Sequence, residues 1–499
     1  MRPALLFSVF VVASCGLAYE LIAAALSSYV LGDSITQFST VIGTYLFAMG
    51  VGSWLSKFID RGLTARFVQI ELMVGVVGGF SAVILFMVFA HFTEPFRLVL
   101  YGLVFVTGVL VGLEIPLIMR ILKNEVEFKD LVAQVLSFDY LGALAVSILF
   151  PVVLAPHIGL MRTSLLFGLM NVAVALWAMR LFRTTIGGGR WLLAQGGIAF
   201  VLLLAGFGFA DKLTLLAEEG IYADQILYAE STPYQRIVLT RWRDDIRLFL
   251  NGNLQFATRD EYRYHEALVH PALATLPGAR RVLILGGGDG LAAREVLKYP
   301  NIESITLVDL DARMTALFRT NHLLSAMNQG SLSSPKLTVV NSDALIWLER
   351  NPEAFDLAIV DFPDPSNYSL GKLYSSAFYR LLEKHLSDQG VLVIQATSPF
   401  YARRSFWCIV NTLEDAGLKA APYHAYVPSF GEWGYVIGSR RDYVLPAKIP
   451  VPVRYVTPET LKTMFDFPAD MSRVPAEVNR LNNQVLVRYF EEDWRRVMK

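Results

Sequence analysis

The stretch Arg281-Val-Leu-Ile-Leu-Gly-Gly-Gly-Asp-Gly290 decides the fold of the second half of the chain. An uninterrupted apolar run of strand length ends in glycines grouped around one aspartate, and Leu291-Ala-Ala-Arg-Glu295 continues with helical character. A buried strand turning tightly into a helix is the opening unit of a parallel sheet whose first turn lets a ligand approach the backbone. Downstream, strands read at Ser304–Val308, Leu337–Val340, Leu357–Val360 and Val391–Gln395, with helical segments between them. That alternation predicts a doubly wound, parallel α/β domain of Rossmann-like type. Upstream, Gln225–Ala229, Gln235–Thr240 and a hairpin Arg247–Ala257 turning at Asn251-Gly252 predict a small antiparallel β unit. A helical run from Glu261 to Leu276 joins the two.

Farther upstream the composition changes. The chain has 499 residues with 44 Lys/Arg and 44 Asp/Glu, so no net charge recruits it to nucleic acid. Residues 1–210 hold only 22 of these charges. A helix needs roughly 20 apolar residues to cross a bilayer, and about seven such runs read near residues 4–31, 37–57, 67–91, 96–119, 133–155, 160–182 and 191–210. The expectation is an N-terminal α-helical multi-span bundle in the cell (inner) membrane, in contact with lipid. Glycines at 43, 50 and 52 and at 75, 78 and 79 read as points of close helix approach. The predicted organisation is a transmembrane domain over 1–210, a small β domain with its entry helix over 222–276, the Rossmann-like domain over 277–445 and a C-terminal tail over 446–499. Met1–Gly16 has the outline of a signal peptide, and Val12-Ala-Ser-Cys15 that of a lipoprotein cleavage site, but apolar sequence continues to Leu31 and six more runs follow. Cys15 and Cys408 lie in different parts of the chain, which excludes a disulfide framework or a thiolate metal site.

Four acids fall inside the apolar runs: Glu20, Glu71, Glu114 next to Pro116, and Asp139 next to Tyr140. A charge facing lipid costs at least a few kcal/mol, so these side chains should face the bundle interior. A path for a cation or proton, and interhelical hydrogen bonding by protonated acids, are both open readings. Basic residues gather after run two (Lys57, Arg61, Arg66), run four (Arg120, Lys123, Lys129) and run six (Arg180, Arg183, Arg190), which places the N-terminus inside. Seven crossings would then deliver the second half of the chain outside, unless one run is re-entrant or the count is one too many.

Ligands of doubly wound sheets bind beyond the carboxyl ends of the strands, and here those ends are acidic. The first strand ends at Gly286–Asp289, the second at Asp309 and Asp311, the third at Asp343 and the fourth at Asp361 and Asp364. One Asp after a strand is often only a helix cap. Four acidic strand ends favour a cationic ligand and repel phosphate, which disfavours NAD and FAD despite the glycines.

With these residues in view, Val282–Glu295 resembles the signature of the polyamine aminopropyltransferases, the spermidine synthases. The resemblance runs from about Gln225 to Gly438 and includes Arg259-Asp-Glu-Tyr-Arg-Tyr-His-Glu266, Asp361-Phe-Pro-Asp-Pro365 with Leu373-Tyr-Ser and Phe378-Tyr, and Val427-Pro-Ser-Phe-Gly431. The apolar half and the tail around Val474–Tyr489 resemble the multi-spanning bacterial subgroup. The resemblance implies transfer of an aminopropyl group from decarboxylated S-adenosylmethionine, a co-substrate and not a cofactor, to putrescine or a related diamine. It implies that Gln235, Gly286, Gly288, Asp309, Asp343 and Ala344 hold the donor and its methylthioadenosine product. Tyr264, His265, Asp289, Asp361 and Asp364 would line the polyamine side, with Asp361 as proton acceptor. No metal is implied, and a homodimer or higher homo-oligomer is. The chemistry agrees, because a sulfonium donor and a diammonium acceptor both call for carboxylates.

Three positions depart from the family pattern. Asp309 stands where Glu is usual, Ser366-Asn-Tyr368 replaces a Gly-Pro, and Phe430 replaces a Tyr. These changes bear on acceptor identity. A methyltransferase using intact S-adenosylmethionine shares the sheet and glycine turn, and a polyamine sensor or transporter with a non-catalytic synthase-like domain fits the acids of the apolar half. A donor made in the cytosol and an active site delivered outside by seven crossings point to opposite faces.

Overall fold

The computed structural model describes residues 2–31, 34–92, 95–123, 127–182, 186, 189–222 and 224–497. Arg183, counted above among the loop charges, lies outside them. The chain forms two compact units, Met1–Ile226 and Leu227–Lys499.

The first unit is a bundle of seven helices long and apolar enough to cross a membrane. They are α1 (Arg2–Leu31), α2 (Ser34–Leu55), α3 (Leu63–His91), α4 (Phe96–Leu122), α5 (Phe128–Leu149), α6 (Leu160–Leu181) and α7 (Gly189–Tyr222). Alpha-helix α5 continues into a π-helical stretch, Phe150–Ile158, that contains Pro151 and Pro156. Glycines bring backbones together where they are needed. A methyl group at Gly52 would stand 2.0 Å from the Val109 carbonyl oxygen, and one at Gly112 would stand 2.2 Å from that of Met49, so α2 and α4 touch main chain to main chain. At Gly168 it would stand 2.6 Å from the Gly75 oxygen, which brings α3 and α6 equally close. Gly43 and Gly50 do not serve this purpose, since a Cβ there meets nothing within 4 Å. Nor does α7 stop at Ala210. It runs on to Tyr222, because Asp211 and Lys212 end the apolar run without ending the helix, and Asp211 pairs with Arg162 of α6 at 2.6 Å.

The second unit begins with four antiparallel strands in sequential order, β1 (Gln225–Ser231), β2 (Arg236–Trp242), β3 (Asp245–Leu250) and β4 (Asn253–Ala257). The β3–β4 turn has positive φ at both Asn251 and Gly252, which matches the strand twist. Helix α8 (Glu261–Leu273) leads to a seven-stranded sheet of β5 (Arg281–Gly286), β6 (Ser304–Asp309), β7 (Leu337–Asn341), β8 (Phe355–Asp361), β9 (Leu386–Gln395), β10 (Lys419–Val427) and β11 (Gly431–Ser439). Its order is β10-β11-β9-β8-β5-β6-β7. Strands β5 to β9 are parallel, while β11 runs antiparallel to β9 and β10 to β11. The sheet is therefore mixed, not wholly parallel, because the last two strands form a hairpin added to one edge. Short helix α9 (Leu291–Val296) follows the glycine turn.

Residues beyond 446 are part of this unit's interior. Val456, Leu461 and Met464 join one core cluster and Val485, Leu486 and Tyr489 another. Glu266 secures the first of these segments by accepting from the backbone N–H groups of Arg454, Tyr455 and Val456 at 2.7, 2.7 and 3.1 Å.

Strand β5 reaches its neighbour β8 most closely at Gly286, where a Cβ would lie 2.2 Å from the Asp361 carbonyl oxygen and φ is +84°. Gly286→Ala is expected to destabilise the unit by about 2–4 kcal/mol, combining overpacking with left-handed strain. A thermal melt that leaves Tm unchanged would contradict this.

Candidate active site

The parallel register places Gly286 beside Asp361, and it places Asp309 beside Asn341. The three strand ends carry the turn Gly286–Asp289, Asp309, and the loop Asp361–Pro365. A Cβ at Gly288 would stand 2.6 Å from Asp309 Oδ2, and the bare glycine instead donates its N–H to that oxygen at 3.1 Å. Asp311 N–H donates to Asp309 Oδ1 at 2.8 Å. Burial pushes the Asp309 carboxyl up to about 6 against these two hydrogen bonds.

Asp361 accepts from Tyr264 OH at 2.7 Å through Oδ1. Burial raises it to about 6, opposed by the charge of His265 and the Tyr264 bond and aided by Asp289. Asp364 accepts from Thr397 Oγ1 at 3.2 Å and from Gln395 Nε2 at 3.5 Å, and burial raises it to about 7. Asp289 Oδ1 accepts from Leu291 N–H at 2.9 Å at the start of α9, and burial raises this carboxyl as well. Asp361 and Asp364 are thus held near neutrality, the range in which a carboxylate exchanges protons at working pH, and Asp289 is shifted in the same direction.

His265 is buried on α8, its Nδ1 at 2.8 Å from Glu261 Oε2. Glu261 in turn receives a fork from Arg294, with Nη1 to Oε1 and Nη2 to Oε2 both at 2.9 Å. Burial of His265 favours the neutral ring, but the Glu261 carboxylate outweighs it and raises His265 to about 9. His265 and Arg294 together hold Glu261 down to about 2 despite its burial. Beyond this chain Glu295 binds Arg294 and His270, each at 2.9 Å. Glu261 and Arg294 lie inside the quoted motifs but are assigned no role there; the four-residue spacing of Glu261 and His265 on one helix was the available signal.

The strand-end acids divide into two kinds. Asp311 caps the helix Ala312–Thr320 and accepts from Thr232 Oγ1 at 2.8 Å and Gln235 Nε2 at 2.9 Å. It is therefore a structural acid, and Gln235 is held on it beside Asp309. Asp343 caps the helix Ala344–Arg350 and pairs with Lys372 at 3.0 Å, which lowers it although burial acts the other way. Ala344 is the buried first residue of that helix.

Behind Asp361 and Asp364 stands a polar brace of which only Tyr374 lay in a sequence motif. Tyr374 OH donates to the Pro363 carbonyl at 3.1 Å, Gln395 Nε2 donates to Tyr374 OH at 2.7 Å, and Trp433 Nε1 donates to Gln395 Oε1 at 3.2 Å. Thr397 adopts φ +57° to reach Asp364. Asn479 bolts the brace by donating to the carbonyls of Gly371 and Tyr374 at 2.9 and 3.1 Å. Of the departures noted above, Asn367 caps the helix Tyr368–Gly371, and Phe430 packs on Tyr264 and Trp433 with ring centroids 6.2 and 5.0 Å apart.

A glycine turn against buried carboxylates, with a carboxylate-bound histidine beside them, defines a class of cation-receiving site on an α/β fold. Comparison with known proteins gives the family. Residues 261–447 match the family model described as spermine/spermidine synthase domain. Polyamine aminopropyltransferase 2 of Ralstonia nicotianae is 58% identical over 99% of both chains. The polyamine aminopropyltransferase of Leptospira interrogans is 51% identical over the full length of both. Among solved structures, a spermidine synthase in complex with the transition-state analogue AdoDATO aligns with a TM-score of 0.46 at 25% identity, covering 49% of this chain and 86% of that one. The chain belongs to the spermine/spermidine synthase family, the polyamine aminopropyltransferases.

Arg294→Met leaves Glu261 and Glu295 buried without their shared cation, and is expected to cost about 3–5 kcal/mol. Arg294→Lys should recover only part of this, since an ammonium cannot make the fork. Equal melting temperatures for wild type and Arg294→Met would disprove the role.

Proposed function

We propose that this chain transfers the 3-aminopropyl group of decarboxylated S-adenosylmethionine to putrescine or a related diamine, giving spermidine and methylthioadenosine. The observation that carries this reading is the set of buried carboxyls of Asp289, Asp361 and Asp364 at neighbouring strand ends, each raised by burial, Asp361 to about 6 and Asp364 to about 7. Such a pocket stabilises a sulfonium and two ammonium groups, and a methyl donor that retains its amino-acid carboxylate is repelled there.

Donor binding falls to the turn at Gly286 and Gly288, to Asp309 through the ribose hydroxyls, and to Asp343 and Ala344 at the adenine. Asp343 can cap its helix and still accept from an exocyclic amine, since each carboxylate oxygen has two lone pairs. Gln235, held by Asp311, borders the nucleoside. The acceptor lies between Tyr264, His265, Asp289, Asp361 and Asp364. Asp361 takes a proton from the attacking ammonium. The freed amine nitrogen displaces sulfur at the adjoining methylene, forming the C–N bond as the C–S bond breaks and its electron pair stays on sulfur. Tyr264 holds Oδ1 of Asp361 and so leaves Oδ2 for the amine. With donor and acceptor aligned, orientation supplies most of the remaining rate.

The seven apolar helices are read as a multi-pass bundle in the cell membrane. Their basic loops favour an N-terminus inside; seven crossings would then carry the catalytic unit outside, whereas one crossing fewer would leave it in the cytosol with its donor, and a reporter fused at the C-terminus reads that side directly.

Purified protein given both substrates should release methylthioadenosine. Asp361→Asn should lower kcat by about 10²- to 10⁴-fold, the range for removal of a general base, with an unchanged melt; consumption of intact S-adenosylmethionine instead would favour the methyltransferase. Asp364 and Asp361 gain protons as pH falls through about 7 and about 6. Diamine kcat/KM should therefore decline with acidification across that window. A profile flat from pH 8 to pH 5 would exclude Asp361 as the base.

A further inference from the structure

The helical bundle contains a polar centre that aminopropyl transfer does not use. Glu71 of α3 and Glu114 of α4 are 0% and 2% exposed. The two carboxyls are electrostatic neighbours of each other, and Asp139 of α5 is a neighbour of Glu114. Around them stand Cys15 and Tyr19 of α1 and Tyr45 of α2, each in electrostatic contact with Glu114. Glu20 of α1 faces Tyr45. Helix α6 contributes Asn171, and α7 has no titratable side chain between Trp191 and Ala210. Among the described residues no Lys or Arg pairs with Glu71 or Glu114; Arg162 pairs with Asp211 and Arg120 with Asp60 instead.

Donors in this centre are already committed. Tyr19 OH donates to Asn171 Oδ1 at 3.1 Å, Asn171 Nδ2 donates to Glu71 Oε2 at 2.8 Å, and Tyr45 OH donates to the Gly16 carbonyl at 2.8 Å. Among the described residues, Oε1 of Glu71 and Oε1 of Glu114 are buried with no hydrogen-bond partner. Two residues beyond Glu114, Pro116 lies inside α4 and cannot donate to the carbonyl of Gly112 one turn back. The centre therefore holds a surplus of acceptors and negative charge. Two ionised carboxylates at this depth, without a counter-charge, cost several kcal/mol each.

We propose that Glu71 and Glu114 form an intramembrane site for one exchangeable positive charge, supplied as a proton or as a primary ammonium group. Either brings what the site lacks: positive charge and a donor for a free, buried carboxyl oxygen. A proton fits on either carboxyl without rearrangement. The close packing around the site favours it, since a methyl group on Gly78 would already strike the Tyr19 ring at 2.6 Å. An ammonium head would require α3 and α4 to part.

The test is difference infrared spectroscopy on the full chain in lipid nanodiscs, comparing wild type with Glu71→Gln and Glu114→Gln. A carbonyl band of protonated carboxyl that grows as pH falls from 9 to 5, and is lost in both variants, identifies the proton. A carboxylate band shifted by putrescine at constant pH, lost in both variants and retained in Asp361→Asn, identifies the ammonium. Signals unchanged by either glutamine would overturn the site, as would a protonated-carboxyl band constant from pH 5 to 9. Release of methylthioadenosine by the two glutamine variants should stay within about twofold of wild type, which separates this test from that of the transferase. Should a glutamine variant fail to fold, dicyclohexylcarbodiimide labelling of the wild type replaces it. Protonated carboxyls in apolar surroundings react, so peptide mapping should find an adduct on Glu71 or Glu114 that declines at high pH. Absence of an adduct on both at every pH would again overturn the site.

Discussion

The carboxylates of the catalytic unit can crowd together because the turn between β5 and α9 is glycine everywhere except Asp289, one of those carboxylates. At Gly286 and Gly288 even a methyl group would penetrate the Asp361 main chain or the Asp309 carboxylate. This steric constraint joins the ends of three parallel strands, and the electrostatics follow from it. Once Asp289, Asp309 and Asp361 share a buried space, desolvation holds their protons more tightly than water would. The negative potential of the pocket is thus a product of close backbone approach as much as of acidic composition.

The fold balances this potential from one side. His265 carries positive charge toward Asp289 and Asp361, and its own charge is sustained by Glu261. Arg294 neutralises Glu261, so the chain alternates in sign from the core outward. His265, with Arg294 behind it, supplies the positive charge that acts on Asp289. The alternation also explains why α8 and α9 pack so closely: Glu261 and Arg294 are rigid partners only when both are dry.

Much of this was legible in the sequence, for identifiable reasons. The strands β5 to β9 announced themselves as apolar runs, the hairpin at Asn251-Gly252 by its turn dipeptide, and the seven helices by length and composition. Tyr264, His265, Asp289, Asp309, Asp361 and Asp364 fell at strand ends or in dense motifs. What escaped lies in tertiary pairing. Asp311 and Asp343 looked like their neighbours, and only their caps and partners separate them. The brace of Tyr374, Gln395, Trp433 and Asn479 joins residues more than a hundred positions apart with no local pattern. Likewise, Gly43 and Gly50 shared the spacing of Gly52 but not its facing helix.

Asn479 carries one more implication. Its side chain ties down the segment that includes Tyr374, and its backbone accepts from Ser376 N–H at 2.9 Å. The loop bearing Asp361 and Asp364 is therefore braced by residues made more than a hundred codons later. During synthesis the sheet can form while Asn479 is still inside the ribosome, yet the pocket cannot take its final shape until that residue emerges. The last segment of the chain is in this way part of what shapes the loop that bears Asp361 and Asp364.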